Sequence, residues 1–443
     1  AISKAMSAAH SKGYHEGNLE TDPKRIARNV VRDLEKKYKS NGNKNNIPGI
    51  EDIQNTVERN LILERMAETG IGYVLYRQAR SQARSQKKNI PQKLKDLMQE
   101  NKKYFQNPLA EFTYFRTYSK WQDNEGRREV WTESVDRYIN FMKENLEKRL
   151  SDDEYAEIRN AIVYHDVMPS MRLMWAAGDA ARASNVTAYN CSYVVPEKTK
   201  DLGEILYVLM CGTGVGFSVE NQFIQQFPII KKQKGETMPV HVVGDSREGW
   251  AEAFVKGVDA WYEGYDVEFD YSKVRPAGSR LKTMGGRSSG PESLAELLSF
   301  TKRKILANQK KRLTSLDFHD IICKTGEIVQ VGGVRRSAEI SLSDLDDMLM
   351  RNAKSGEFYR TDKHRQMANN SAVYEEKPSN IEFMREFLSL AESGSGERGI
   401  FNRGGLIHQL PQRRIALGLE HLTKMGTNPC GEIILRPDQF CNL

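Results

Sequence analysis

Apolar side chains along the first 165 residues recur at helical spacing, and beyond Asp166 that rhythm gives way to short apolar runs between helical stretches. Ile2, Ala5, Met6 and Ala9 open one helical pattern, and a turn-rich polar stretch from Lys39 to Pro48 interrupts it. Ile50, Ile53 and Val57 then share one face of a second helix, and a further helix ends at Tyr73–Arg80. A basic linker, Arg80–Lys88, reads as a solvated surface. From Asn89 to Asp166 the pattern is again helical, with Leu94, Leu97 and Met98 followed by Phe112, Tyr114, Phe115, Tyr118, Trp121, Trp131, Tyr138 and Phe141. Aromatic stripes at that spacing predict core, not a stacking platform for single-stranded nucleic acid. Farther on, the runs Tyr193–Val195 and Gly216–Val219 alternate with helices over Leu202–Met210 and Leu294–Leu306, which predicts an α/β sheet or barrel. Three regions result: helical modules over 1–80 and 81–165, and an α/β domain over 166–443.

Composition narrows the class modestly. The 443 residues suffice for two or three domains with a sizeable core. A formal net charge of +7 permits binding of nucleotide phosphates without demanding nucleic acid, and no apolar run is long enough to span a membrane. The cysteines are Cys191, Cys211, Cys323, Cys430 and Cys441, an odd set with no CxxC pair and no secretory signal. Such a set predicts reduced thiols in a cytoplasmic chain, not a disulfide scaffold or a metal site. Both ends read as cut: the chain opens at Ala1 inside a helical pattern and stops at Leu443 just after a cysteine motif. The expectation is a fragment or one piece of a split enzyme, with an intein boundary after Leu443 as one version of it.

Chemistry concentrates near the end of the chain. Cys430 is flanked by the amide of Asn428 and the carboxylate of Glu432, and in an extended loop all three side chains would share one face. A turn set by Pro429 and Gly431, with the thiol merely packed, is the plainer alternative. Gly212-Thr213-Gly214-Val215-Gly216 lacks the third glycine spacing of a dinucleotide fingerprint and leads into a strand, so it reads as a glycine turn that lets backbone amides approach a phosphate. Cys211 and Cys323 read as buried structural cysteines.

Taken together, Asn428-Pro429-Cys430-Gly431-Glu432 and Phe440-Cys441-Asn442-Leu443 resemble the radical-site signature of ribonucleotide reductases, in the form typical of the adenosylcobalamin-dependent class. Met168-Pro169-Ser170-Met171-Arg172 and Asn190-Cys191-Ser192-Tyr193 resemble the segment that opens that family's barrel. Gly332-Gly333-Val334-Arg335-Arg336-Ser337 and Gly285-Gly286-Arg287-Ser288-Ser289-Gly290 resemble its two specificity loops, although solvated surface turns would look alike. Residues 1–80 resemble the later helices of an ATP-cone, with a plain helical hairpin as the alternative.

The resemblance implies a ten-stranded α/β barrel, of which this chain would hold the first half, preceded by a helical region with a partial ATP-cone. It implies a thiyl radical on Cys430 that removes the ribose 3′ hydrogen, Glu432 as acceptor of the 3′-hydroxyl proton, and Asn428 orienting the sugar. Cys191 and Cys441 would supply two reducing equivalents and finish as a disulfide. Ser170, Asn190, Gly212 and Gly214 would line the substrate, with a helix-capping role for Ser170 as the alternative. Ser289, Gly290, Gly333, Arg335 and Arg336 would respond to dNTP or ATP effectors. Adenosylcobalamin is the implied cofactor, a thioredoxin-like protein the implied reductant, and a C-terminal half of the same enzyme the implied partner, without which turnover is not expected. Two other readings remain: a large subunit served by a separate radical-generating metal subunit, and a nucleotide-binding regulatory or assembly subunit.

Overall fold

The computed structural model describes Ser7, 22–39, 50–64, 66, 69–71, 73–74, 92–147, 149–281, 287–331, 338–416 and 422–442. The chain divides into two compact units, 1–100 and 101–443.

In the first unit, the helices Asp22–Lys39 and Ile50–Leu63 bury Ile26, Val30 and Leu34, four residues apart, against Val57, Leu61, Met66 and Tyr73. Asn60 occupies the same buried stripe and donates to Asp33 Oδ2 at 3.1 Å. Ile53, expected on that face, lies one turn beyond the contact and is 40% exposed. The pattern over Ile2–Ala9 and most of Tyr73–Arg80 lies outside the described residues.

The second unit begins with helices that bear out the helical reading of 89–166. Pro108–Thr117 starts from Asn107, whose side chain accepts from the Ala110 amide. Asp152–Val163 starts from a capping box of Ser151 and Glu154. Between them runs Trp131–Leu146, and Tyr114, Trp131, Val135, Ile139, Tyr155 and Ile162 form one cluster. A small antiparallel hairpin, β1 (Trp121–Gln122) and β2 (Arg127–Arg128), interrupts the helical run, so Trp121 sits on an exposed strand and not in the core.

Beyond residue 190 the chain alternates strand and helix. β3 (Cys191–Val194), β4 (Gly214–Ser218), β7 (Glu339–Asp344), β8 (Ala368–Tyr374) and β9 (Gly399–Asn402) pair in parallel in that order. A last strand, β12 (Gln439–Cys441), adds antiparallel to β3, giving a mixed six-stranded sheet. Between β4 and β7, β5 (Thr237–Val242) and β6 (Asp266–Asp270) make a separate parallel pair joined through the helix Arg247–Glu263. β10 (Gly426–Thr427) and β11 (Ile434–Leu435) form a short hairpin that carries the Cys430 loop.

Side chains alternate across a strand, so each strand divides its residues between two layers. Val194, Val215 and Phe217 face the helices Thr199–Met210, Arg247–Glu263, Pro291–Ala307 and Ser315–Val331, and all join the largest apolar cluster. On the opposite face, Cys191, Tyr193, Leu342, Val373, Phe401 and Cys441 pack with Met425 and Leu435 of the hairpin. β9 is an edge strand buried on one face only: Phe401 is buried there, whereas Ile400 is 56% exposed.

Candidate active site

The register of β12 against β3 sets Cys441 directly opposite Cys191. Opposed residues in an antiparallel ladder have Cα atoms about 4.5–5.5 Å apart, inside the roughly 4.4–6.8 Å that a disulfide bridges. Both thiols are buried and reduced. The ladder is continued by the Asn190 N–H, which donates to the Cys441 carbonyl at 3.1 Å. Burial, reinforced by the Cys191 sulfur beside it, pushes the Cys441 thiol up to about 12.

Cys430 rides on the hairpin that crosses this inner face, a finger laid over the sheet. Its path is dictated by glycines. A Cβ on Gly216 would collide with the Thr427 carbonyl oxygen, and one on Gly214 would lie 2.9 Å from Pro429 Cγ. Gly426 is pressed against the Tyr193 ring in the same way. Gly214 and Gly216 are the register partners of Cys191 and Tyr193, so the finger lies across both strands. At the tip, Asn369 Nδ2 donates to the Pro429 carbonyl at 3.3 Å. Cys191, Gly214 and Asn369 stand at or next to the amino ends of their strands, which places the fingertip there and the stem towards the carboxyl ends.

Of the two conformations open at 428–432, the extended loop and the turn set by Pro429 and Gly431, the chain takes the turn. Gly431 takes a left-handed φ of 84°, and its N–H donates to the Asn428 carbonyl at 3.0 Å. The three side chains therefore do not share one face. Cys430 and Glu432 are exposed, while Asn428 points inward and is fully buried. Asn428 Oδ1 accepts from the Ile433 N–H at 3.0 Å and from Thr427 Oγ1 at 3.3 Å, which leaves Nδ2 buried without a hydrogen-bond partner. A buried amide donor in that condition is costly unless something accepts from it.

Two profiles of known families match the chain: ribonucleotide reductase alpha domain over residues 91–178, and B12-dependent ribonucleotide reductase, insertion domain, over residues 230–306. The adenosylcobalamin-dependent ribonucleoside-triphosphate reductase of Lactobacillus acidophilus is 29% identical over 76% of this chain and 54% of its own length. Its namesake from Euglena gracilis is 32% identical over 58% of this chain and 38% of its own length. A crystal structure of a B12-dependent (class II) ribonucleotide reductase superposes with a TM-score of 0.61 at 26% identity, covering 74% of this chain and 53% of that one. In both matched segments and in fold, the chain is similar to the B12-dependent ribonucleotide reductases. It spans about half the length of the curated relatives it matches.

The remaining expected residues fall into four groups. Asn190, Gly212 and Gly214 are buried beside Cys191, where the Asn190 carbonyl accepts from the Gly214 N–H at 2.9 Å. Gly212 is left-handed, and a Cβ there would strike the guanidinium of Arg172, which stacks 5.3 Å from the Trp175 ring. Ser170 caps the helix Met171–Ala176, its Oγ accepting from the Leu173 N–H at 3.4 Å. Ser289 and Gly290 form the turn into the helix Pro291–Ala307, at a distance in sequence from the thiols. Gly333, Arg335 and Arg336 lie outside the described residues.

Cys211 and Cys323 are buried on the helical side of the sheet, as expected, and burial raises both thiols. Asp320, Asp362 and His364 are the one metal-like cluster among the described residues. Burial would raise the Asp320 carboxyl, but hydrogen bonds from His364, Arg365 and Lys304 outweigh it and hold the group far below the usual range, so its charge is already matched. Sequence reasoning did not single out Tyr193, Gly216, Glu220, Asn369, Arg403 or Gly426 as site residues. Only the glycine run offered a signal.

Proposed function

We propose that this chain carries the catalytic thiols of an adenosylcobalamin-dependent ribonucleotide reductase that converts ribonucleoside triphosphates to 2′-deoxyribonucleotides. The observation that carries the reading is the register pairing of Cys191 with Cys441 beneath a finger that holds Cys430 over the same strands. The choice of triphosphate follows the names of the relatives.

Cys430 acts as a thiyl on the ribose C3′ hydrogen, and Glu432, exposed beside it, accepts the 3′-hydroxyl proton. The unpartnered Asn428 amide donates to a sugar hydroxyl. Loss of the 2′-hydroxyl as water then draws two electrons and two protons from Cys191 and Cys441, which close to a disulfide. Cys430 returns the hydrogen to C3′. When bound, adenosylcobalamin supplies the initiating radical by homolysis of its cobalt–carbon bond. Of these three thiols only Cys430 is exposed, which fits a bulky radical source approaching from outside the sheet.

In this reading the five parallel strands are half of a ten-stranded barrel, and further strands belong to the length of the relatives that this chain does not span. The helices of residues 22–74 are the later part of an ATP-cone. Loops 285–290 and 332–337 answer to nucleotide effectors, and a thioredoxin-like dithiol protein re-reduces the Cys191–Cys441 bridge.

The test supplies the complete enzyme with adenosylcobalamin, a dithiol and paired di- and triphosphates. Cobalamin-dependent deoxynucleotide formation that vanishes in Cys430→Ser, with nucleotide binding kept, is the expected result. Reduction that instead requires a separate metal-containing subunit would overturn the cofactor assignment.

A further inference from the structure

Where the finger enters the sheet, a buried guanidinium takes hold of its backbone. Arg403 follows β9 directly and its side chain is 1% exposed. Its Nη1 and Nη2 donate to the two carboxylate oxygens of Glu220, each at 2.7 Å, and Nη1 also reaches Glu375 Oε1 at 2.7 Å. The remaining donor, Nε, is directed to the Met425 carbonyl at 2.7 Å. Glu220 is held in turn by Ser218 Oγ at 2.6 Å, at the carboxyl end of β4. One guanidinium thus joins the carboxyl ends of β4 and β9 to the residue that precedes Gly426.

Stability alone is a poor account of this cluster. Replacing a buried ion pair by well-packed apolar groups is often neutral or stabilising, whereas a planar fork fixes direction. Glu220 grips both terminal nitrogens, so the plane of Arg403 is set and Nε can point only where it does. Downstream of the Met425 carbonyl, Gly426 rests on Tyr193 and Thr427 fills the notch at Gly216. An axial shift at Met425 would carry this stem past both notches and displace Cys430 with it.

We infer that Arg403, oriented by Glu220 and Glu375, is a positioning residue that sets how far the finger reaches along the sheet and hence where the Cys430 thiol stands over Cys191 and Cys441. The inference rests on the reading of Cys430 as the reacting thiol.

Arg403→Lys keeps the charge and loses the fork. In the complete enzyme, with adenosylcobalamin, a ribonucleoside triphosphate and dithiol, it should lower kcat by about a hundredfold, the order expected for an ångström-scale misplacement. KM should change far less than kcat, because Arg403 itself touches no substrate and only the sugar contact of the finger's Asn428 would shift. Alkylation of Cys430 by iodoacetamide in the folded protein should change several-fold. Glu220→Gln should move both readouts in the same direction, and it carries the test if Arg403→Lys does not fold. Arg398→Lys is the control. Arg398 is comparably buried and also pairs with a carboxylate, Glu386, but it bonds the β7 end through Ser343 and the Asp344 carbonyl, not the finger. It should lower the melting temperature and leave kcat and Cys430 alkylation alone. Should Arg403→Lys and Glu220→Gln behave like Arg398→Lys, the inference is wrong. If the unaltered enzyme shows no cobalamin-dependent reduction, the functional reading fails, and the alkylation comparison still decides what Arg403 does.

Discussion

Cys441 and Glu339 are buried acids whose protons are held more tightly in the folded chain than in the unfolded one. For Cys441 the thiol rises from 9.0 to about 12. The folded state therefore binds more protons across that interval, and stability falls as pH climbs through it. Cys441→Ser should flatten the alkaline limb of a melting-temperature series; an unchanged slope would contradict the assignment. Glu339, at the start of β7, is wedged against Gly326 with neither carboxylate oxygen bonded, and burial alone pushes it well above the carboxylate range. The same sign applies from the unfolded carboxylate value upward. Glu339→Gln keeps the shape and abolishes the titration, so the variant should gain melting temperature relative to the parent as pH rises from about 5 to 8. Glu339, unlike Cys441, is not conspicuous in the sequence. Glu339 reads there as an ordinary strand residue, because the notch that hides it is formed by a helix in another layer.

Strands and the finger show what pattern reading reaches and what it misses. Short apolar runs located β3 and β4, and helix spacing located Thr199–Met210 and Pro291–Ala307, since both signals are local. The glycine run at 212–216 was equally visible, yet its physical demand lies more than 200 residues away, where the finger backbone needs the space. A phosphate turn and a docking groove ask for the same residue type, and only the folded contact separates them. Gly216→Ala should destabilise the protein by about 1–3 kcal/mol through overpacking. It should also reduce turnover far more than melting temperature would suggest, because the displaced segment carries Cys430. Comparing thermal melts with single-turnover rates checks both halves of that expectation. The sequence left an extended loop and a turn at 428–431 both open for a similar reason: a left-handed glycine is permitted by the sequence but is required only when Asn428 turns inward.

For the whole molecule, the distance along the chain between the paired thiols is itself a source of stability. Residues 191 and 441 are 250 positions apart, and closing a loop of that size stabilises by about 5 kcal/mol in the chain-entropy account. Oxidised protein should therefore melt several degrees above reduced protein, and the gain should be absent from Cys191→Ser. Equal melting temperatures would mean that the bridge strains the β3–β12 ladder. That the two cysteines belong together was available from the family resemblance. That a strand register accomplishes it was not, because three residues of β12 carry no pattern of their own. The parallel strands also assign different work to their two ends: thiols, Asn369 and the fingertip gather at the amino ends, while Arg403, Glu220 and Glu375 lock the carboxyl ends. A saturation screen scored once for survival on heating and once for chemistry should consequently sort its hits by latitude on the sheet, with one hemisphere governing catalysis and the other governing its aim.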